Sequence, residues 1–227
     1  MSKVFFSVTM SLDGFIAPEF MQLGQPVEKW LSQWMELQSY VFQQRFFRES
    51  LKLGDGGETG QDNRILEETY NRTGVSIMGK RMFDGGEQNW PEEAPFHTPV
   101  FVLTRDIRSP WERPGGTTFV FVNDGIENAL EQARTVAGDR DIRIAGGAHV
   151  IRQYLNAGLV DEFAIAVSPV LFGAGLRLFE GVDQRTISLD IKEAIHSPMV
   201  THLNYAVRRS EIPDDTARQH AVSASGR

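Results

Sequence analysis

Apolar residues in this chain fall into short blocks that alternate between two periods. Compact runs over 3–9, 75–78, 100–103, 117–122, 142–145 and 161–167 have the length and composition of buried strands. Between them, apolar residues recur three and four positions apart. Ile65, Leu66, Thr69 and Tyr70 mark a helix over 61–71, and Ile126, Leu130, Ala133 and Ala137 mark one that stops at Gly138. Val150, Ile151, Tyr154 and Leu155 mark a third, ending at Gly158. Asp124, with Glu127 three residues on, predicts a capping box at the second of these. Pro26 to about Glu49, rich in Trp, Leu, Phe and Gln, reads as one long helix. The glycine-rich stretch 53–60 reads as a flexible loop, and 84–98, with Trp90, as another.

Residues 186–195 and 199–208 alternate as a terminal antiparallel pair. Strands alternating with helices, then a run of strands, predict an α/β fold. Its central sheet is mostly parallel, helices flank it, and a terminal antiparallel hairpin extends one edge. The expected organisation is a single domain over 1–210, with an inserted helical and loop segment at about 19–62. Residues 211–227 form a polar tail without periodicity.

Composition narrows the chemistry. With 227 residues, 41% of them hydrophobic, the chain can bury a full core. A net charge of −7 and no basic stripe argue against nucleic-acid binding. The absence of cysteine removes disulfides, thiolate catalysis and Cys-ligated metals. No His, Asp or Glu group has metal-ligand spacing, so no metal is expected. No segment is long enough to span a bilayer, and the N-terminal apolar run is too short for a signal peptide, so a cytoplasmic protein without a membrane partner is expected.

Three strand ends carry small, hydroxyl or cationic residues. They are Met78-Gly79-Lys80-Arg81, Leu103-Thr104-Arg105 and Ala145-Gly146-Gly147-Ala148-His149-Val150. Ligands in open α/β sheets sit outside the carboxyl ends of strands. Glycine admits a close ligand, and the following helix start offers free N–H groups and a positive dipole end. Lys80, Arg81 and Arg105 suit an extra ribose 2′-phosphate, which favours NADP over NAD. Taken singly, Gly146-Gly147 fits a plain tight turn, and the cations fit ordinary solvated charges. The glycines of 54–60 match neither a dinucleotide fingerprint nor a P-loop.

The order of motifs resembles the dihydrofolate reductase-like superfamily. It is most similar to the bacterial branch that includes the reductase domain of bifunctional riboflavin-biosynthesis enzymes. The resemblance rests on 11–17 (SLDGFIA), 77–81 (IMGKR), 102–105 (VLTR), 144–148 (IAGGA), 158–162 (GLVDE) and 168–175 (SPVLFGAG), with Leu178-Phe179 closing the set. It implies the three-layer fold of that superfamily, NADPH, and hydride transfer to a small heterocycle of pterin, pyrimidine or related type. The reacting bond would be a C=N or a sugar-derived carbonyl or imine. By the same resemblance, Gly79, Lys80 and Arg81 lie by the adenosine phosphates, and Thr104 and Arg105 flank the 2′-phosphate. Gly146, Gly147, Ala148, His149 and Val150 hold the pyrophosphate, and Asp13 and Gly14 lie near nicotinamide and substrate. A homodimer is a further family expectation.

The chain also departs from its relatives. Glu28, Trp30, Trp34 and Glu36 occupy the stretch where folate reductases carry a pterin-binding carboxylate, and Phe15 follows Asp-Gly where the riboflavin-type reductases have Lys. Reduction of a C=N also needs a proton. Asp13 is the first candidate donor, with an Asx-type turn residue as its alternative. Glu58, Asp62, His97 and His149 are further candidates. Trp90 is read as a substrate contact or, equally, a buried anchor; Trp30 and Trp34, four apart, fit a core face. The alternative function is a nucleotide-binding protein of the same fold without turnover.

Overall fold

The computed structural model describes residues 2–22 and 24–209. The tail read at 211–227 lies outside the described residues. In chain order the elements are β1 (Val4–Ser11), β2 (Phe15–Pro18), α1 (Glu19–Gln22), α2 (Leu31–Leu37), α3 (Ser39–Gln43), α4 (Arg45–Ser50), α5 (Gln61–Arg72), β3 (Thr73–Gly79), α6 (Lys80–Glu87) and β4 (Val100–Leu103). There follow β5 (Trp111–Glu112), β6 (Thr118–Val122), α7 (Ile126–Ala137), β7 (Asp141–Gly146), α8 (Ala148–Asn156), β8 (Glu162–Ser168), β9 (Gly175–Arg177), β10 (Ile187–His196) and β11 (Thr201–Arg209).

A nine-stranded sheet has the order β10-β11-β8-β1-β7-β3-β4-β6-β5. The strands from β8 to β6 all run parallel. The β10–β11 hairpin is antiparallel and closes one edge, as read from the sequence, and β5 closes the other. All parallel strands therefore end at one rim, where every strand-end motif named above is gathered.

Alternation along each strand divides the side chains between two faces. One face presents Val4, Phe6, Val75, Ile77, Ile142 and Ile144 to α7 and α8, whose Leu130, Ala133, Ile151 and Tyr154 complete the main core. The other face carries Phe5, Arg143, Met78 and Val102, which are linked by strand register. Helix α5 and the segment before it cover part of this face. A second cluster of Met78, Phe83, Val100, Val102 and Phe119 fills the rest.

Three local expectations are corrected. The long helix of 26–49 is a 3-10 turn at 27–29 and three short helices. It breaks at Gln38 and again at Gln44, whose extended backbone (φ −80°, ψ 136°) lets Arg45 N–H reach Glu58 O at 2.9 Å. Tertiary pairing with the 54–60 loop therefore overrides helical periodicity. Helix α7 is capped by Gly125 rather than by a capping box, and Asp124 accepts instead from the Asn128 side chain. Helix α6 runs on to Glu87 through Gly85 and Gly86. A Cβ on Gly86 would fall 2.0 Å from the Trp90 ring, so the glycine serves packing.

At the rim opposite the strand ends, Glu162 accepts from Lys3 (2.7 Å), Lys192 (2.9 Å) and Arg72 (2.8 Å). Arg72 also binds Asp141 and stacks on Phe5. Burial pushes the Glu162 carboxyl upward, but the three cationic donors outweigh it and hold it down at about 2. A depressed carboxylate stabilises the fold above its ordinary pKa and loses that contribution as pH falls toward the folded value. Glu162→Gln is expected to cost roughly 2 kcal/mol at neutral pH. Denaturant titrations should show the gap to wild type narrowing between about pH 4.5 and pH 2. A gap independent of pH would assign the loss to packing instead.

Candidate functional site

The site is built where adjacent parallel strands hand over to helices. Strand β7 ends at Gly146 and α8 begins at Ala148, capped by Gly147. Next to it, β3 ends at Gly79, which caps α6. The two junctions touch. A Cβ on Gly79 would lie 2.9 Å from Val150 Cγ2, so Gly79 keeps a bare backbone against the start of α8. Gly146 has φ +131°, a conformation open to glycine and strained for other residues. The Gly146–Gly147 peptide is cis.

Gly147 differs from both. A Cβ there would meet no atom within 4 Å. That open space lies before the first turn of α8, where N–H groups have no intrahelical acceptor. The amides of Gly147, Ala148 and His149 find none among the described residues. Val150 is buried, whereas His149 is exposed. Free amides, a helix dipole and an unfilled cradle match a phosphate or pyrophosphate group. The residues present therefore fit an anionic dinucleotide.

Beyond β4, Thr104 N–H donates to Val122 O at 3.0 Å, and Thr104 Oγ1 accepts from Asp106 N–H at 3.0 Å. The threonine hydroxyl keeps its own proton for a ligand. Arg105 and Arg81 are exposed, and neither forms an ion pair among the described residues. Lys80 is different. Its Nζ lies 2.8 Å from Asp84 Oδ1 and 3.4 Å from Asp106 Oδ2. Hydrogen bonding to Asp84 first, and then to Asp106, raises its pKa. A cavity of about 40 Å³ opens here between Lys80, Thr104, Asp106 and Arg108, floored by Phe83 and Phe121.

The other wall of the rim is the turn after β1. Gly14 N–H donates to Ser11 O at 2.9 Å, and Ser11 Oγ donates to Asp13 Oδ1 at 2.6 Å. Asp13 then reaches across the chain. Its carboxylate accepts from Phe172 N–H (3.1 Å) and Gly173 N–H (2.7 Å). Burial raises the Asp13 pKa, but the Ser11 hydroxyl and the Gly173 and Phe172 amides outweigh it and leave it lowered. Hydrogen bonds donated to a carboxylate favour its ionised form. Of the two readings of Asp13, the turn residue is the one this geometry supports: it clasps the 11–14 turn to the 172–173 loop.

For Trp90, the packing supports the anchor of its two readings. Its ring stacks on Phe119 (5.2 Å, interplanar 6°) and meets Phe83 and Phe96 edge-on. Partly buried, it packs against the second core cluster. His97 precedes β4 and lies 3.0 Å from Gly115 O, at the rim away from the site. Glu58 is tied by its backbone to Gln43 and Arg45.

Asp62 lies in the first turn of α5, the helix expected over 61–71, which leads directly into β3. Asp62 Oδ1 lies 2.7 Å from His202 Nε2, with the residues only 5% and 3% exposed. His202 shares a register row with Ala166 and Thr9. Thr9 Oγ1 donates to Gln38 Oε1 at 2.9 Å, and the ring of buried Tyr40 meets His202 edge-on. Burial pushes the Tyr40 phenol up to about 12. This polar layer lies under α2–α5, two residues below the Ser11–Ser168 pair at the rim. Ser7, Thr9 and Ser11 alternate along a central strand that should be apolar on both faces, and that alternation was the signal for it.

The sequence profile of the RibD C-terminal domain matches residues 2–203. The chain belongs to the RibD C-terminal domain family. It is 41% identical over 66 residues to the uncharacterized protein YyaP of Bacillus subtilis (strain 168), a stretch covering 29% of this chain and 35% of that one. It thus spans about a third of the length of that relative. Among solved structures, a putative riboflavin biosynthesis protein from Shewanella sp. PV-4 superposes with a TM-score of 0.58 at 21% identity, covering 92% of this chain and all of that one (100%). Dihydrofolate reductase from Enterococcus faecalis, complexed with NADP(H), superposes with a TM-score of 0.51 at 12% identity, covering 92% and 97%. These superpositions show a shared dihydrofolate reductase-like fold. Among the described residues no helix is long and apolar enough to cross a membrane.

Proposed function

We propose that this chain is an NADPH-dependent reductase acting on a small heterocycle of the pyrimidine or pterin type, at a C=N bond or a sugar-derived carbonyl or imine. Family membership supports a reductase of that class. The observation that carries the cofactor is the open cradle at Gly147 before the unpaired amides of α8. When bound, the cofactor supplies hydride. Gly146, Gly147, Ala148, His149 and Val150 hold its pyrophosphate, and Gly79, Lys80 and Arg81 lie along the adenosine phosphates. Thr104 and Arg105 flank the 2′-phosphate. Asp13 and Gly14 shape the turn over the reacting ring.

With Asp13 engaged as an acceptor, the proton for the reduced nitrogen comes from water admitted at the rim. Asp13→Asn keeps an acceptor oxygen for the Phe172 and Gly173 amides, so turnover should fall by less than about tenfold. Loss of a general acid would cost roughly a hundredfold or more. A loss of that larger size, with NADPH affinity unchanged, would restore Asp13 as the donor.

Consumption of NADPH with a panel of oxidised pterins and aminopyrimidines tests the reading. Substrate-dependent oxidation supports it. Binding of NADPH with no turnover across the panel favours a nucleotide-binding protein, a reading helped by the engaged state of Asp13. A homodimer remains part of the proposal, through family kinship.

A further inference from the structure

The β4 end was read for its cations, yet the structure places carboxylates among them. Lys80 Nζ is held by Asp84 Oδ1 and Oδ2 (2.8 and 2.9 Å) and faces Asp106 Oδ2 at 3.4 Å. Arg108 is likewise taken by Glu87 at 2.6 Å. Both cations that line the small cavity, Lys80 and Arg108, are thus already paired, whereas Arg105 beside it forms no ion pair among the described residues. The Asp106 backbone is fixed by its N–H bond to Thr104 Oγ1 at 3.0 Å, and its exposed carboxylate is turned toward Lys80. Asp106 lies on the rim with Lys80 and Thr104, at the edge of the cavity.

A carboxylate in that place accepts a hydrogen bond from a ribose 2′-hydroxyl and repels a 2′-phosphate. A 2′-phosphate must also draw Lys80 away from two anions before the lysine can serve it. We infer that Asp106 is a specificity-determining residue that restrains the preference for NADPH over NADH, with Lys80 as the cation it competes for. The inference rests on the proposed cofactor site and adds the residue that sets its selectivity.

The test is direct binding, without turnover. NADPH and NADH are titrated against wild type and Asp106→Asn by tryptophan fluorescence, and 2′,5′-ADP and 5′-AMP are used as competitors. Asparagine is isosteric and leaves the backbone N–H bond to Thr104 in place. The expected result is a rise of roughly fivefold or more in the NADPH-to-NADH affinity ratio, with a parallel gain for 2′,5′-ADP over 5′-AMP. Lys80→Met should move the ratio the other way. An unchanged ratio in Asp106→Asn, with wild type binding the cofactors, overturns the inference alone. Failure of both proteins to bind either dinucleotide overturns the inference and the cofactor site together.

Discussion

Replacing Gly147 by valine is expected to abolish measurable NADPH binding while the protein stays folded. A Cβ at Gly147 would meet no atom within 4 Å beyond its chain neighbours, and the residue's φ of −78° is one that any L-residue adopts. The isopropyl group would instead occupy the space in front of the α8 amides. A phosphate displaced by even one ångström loses several charge-assisted N–H bonds, each worth about 1.5–3 kcal/mol. An affinity loss of about a hundredfold or more follows from losing two of them. Circular dichroism and thermal melting establish the fold, and equilibrium titration gives the affinity. Retained affinity in a folded Gly147→Val protein would place the anion elsewhere.

The second large effect concerns stability. Asp62→Ala removes one partner of a pair from which water is excluded, leaving the His202 ring polar and unmatched. The expected cost is about 3 kcal/mol. For a domain of this size that is roughly 6–12 °C in Tm. Asp62→Leu combined with His202→Leu should cost less than the single change, because no polar group is then stranded. Additive losses would show that the two residues act separately. The pair joins α5 to β11, so its loss should also loosen the 31–50 helices from the sheet, which hydrogen exchange can localise.

The parallel sheet and its rim were legible because strand runs and glycine stops depend on local sequence. The end of β4 at Leu103 and the Gly146-Gly147 junction follow from chemistry within a few residues. What escaped depends on distant partners. Nothing local says that Gln44 turns extended, since its backbone is recruited by Glu58 across a loop. Asp13 was legible as a turn residue, but its donors at 172–173 lie about 160 positions away. Asp62 falls in a helix that is legible over 61–71, but its partner His202 lies 140 positions away, and no local pattern pairs them. Asp106 stood next to Arg105 in plain view. Its meaning came only from the 3.4 Å approach to Lys80, which depends on how α6 and the β4 end are juxtaposed.

The central claim is that the rim formed by β7, β3 and β4 holds a phosphorylated dinucleotide. Isothermal titration of the wild-type chain with NADPH, repeated with excess 2′,5′-ADP, tests it most directly. The account predicts one saturable site with micromolar affinity, suppressed by the competitor and weakened by salt as expected for anion recognition. Absence of saturable binding, or binding that 2′,5′-ADP leaves untouched, would contradict it.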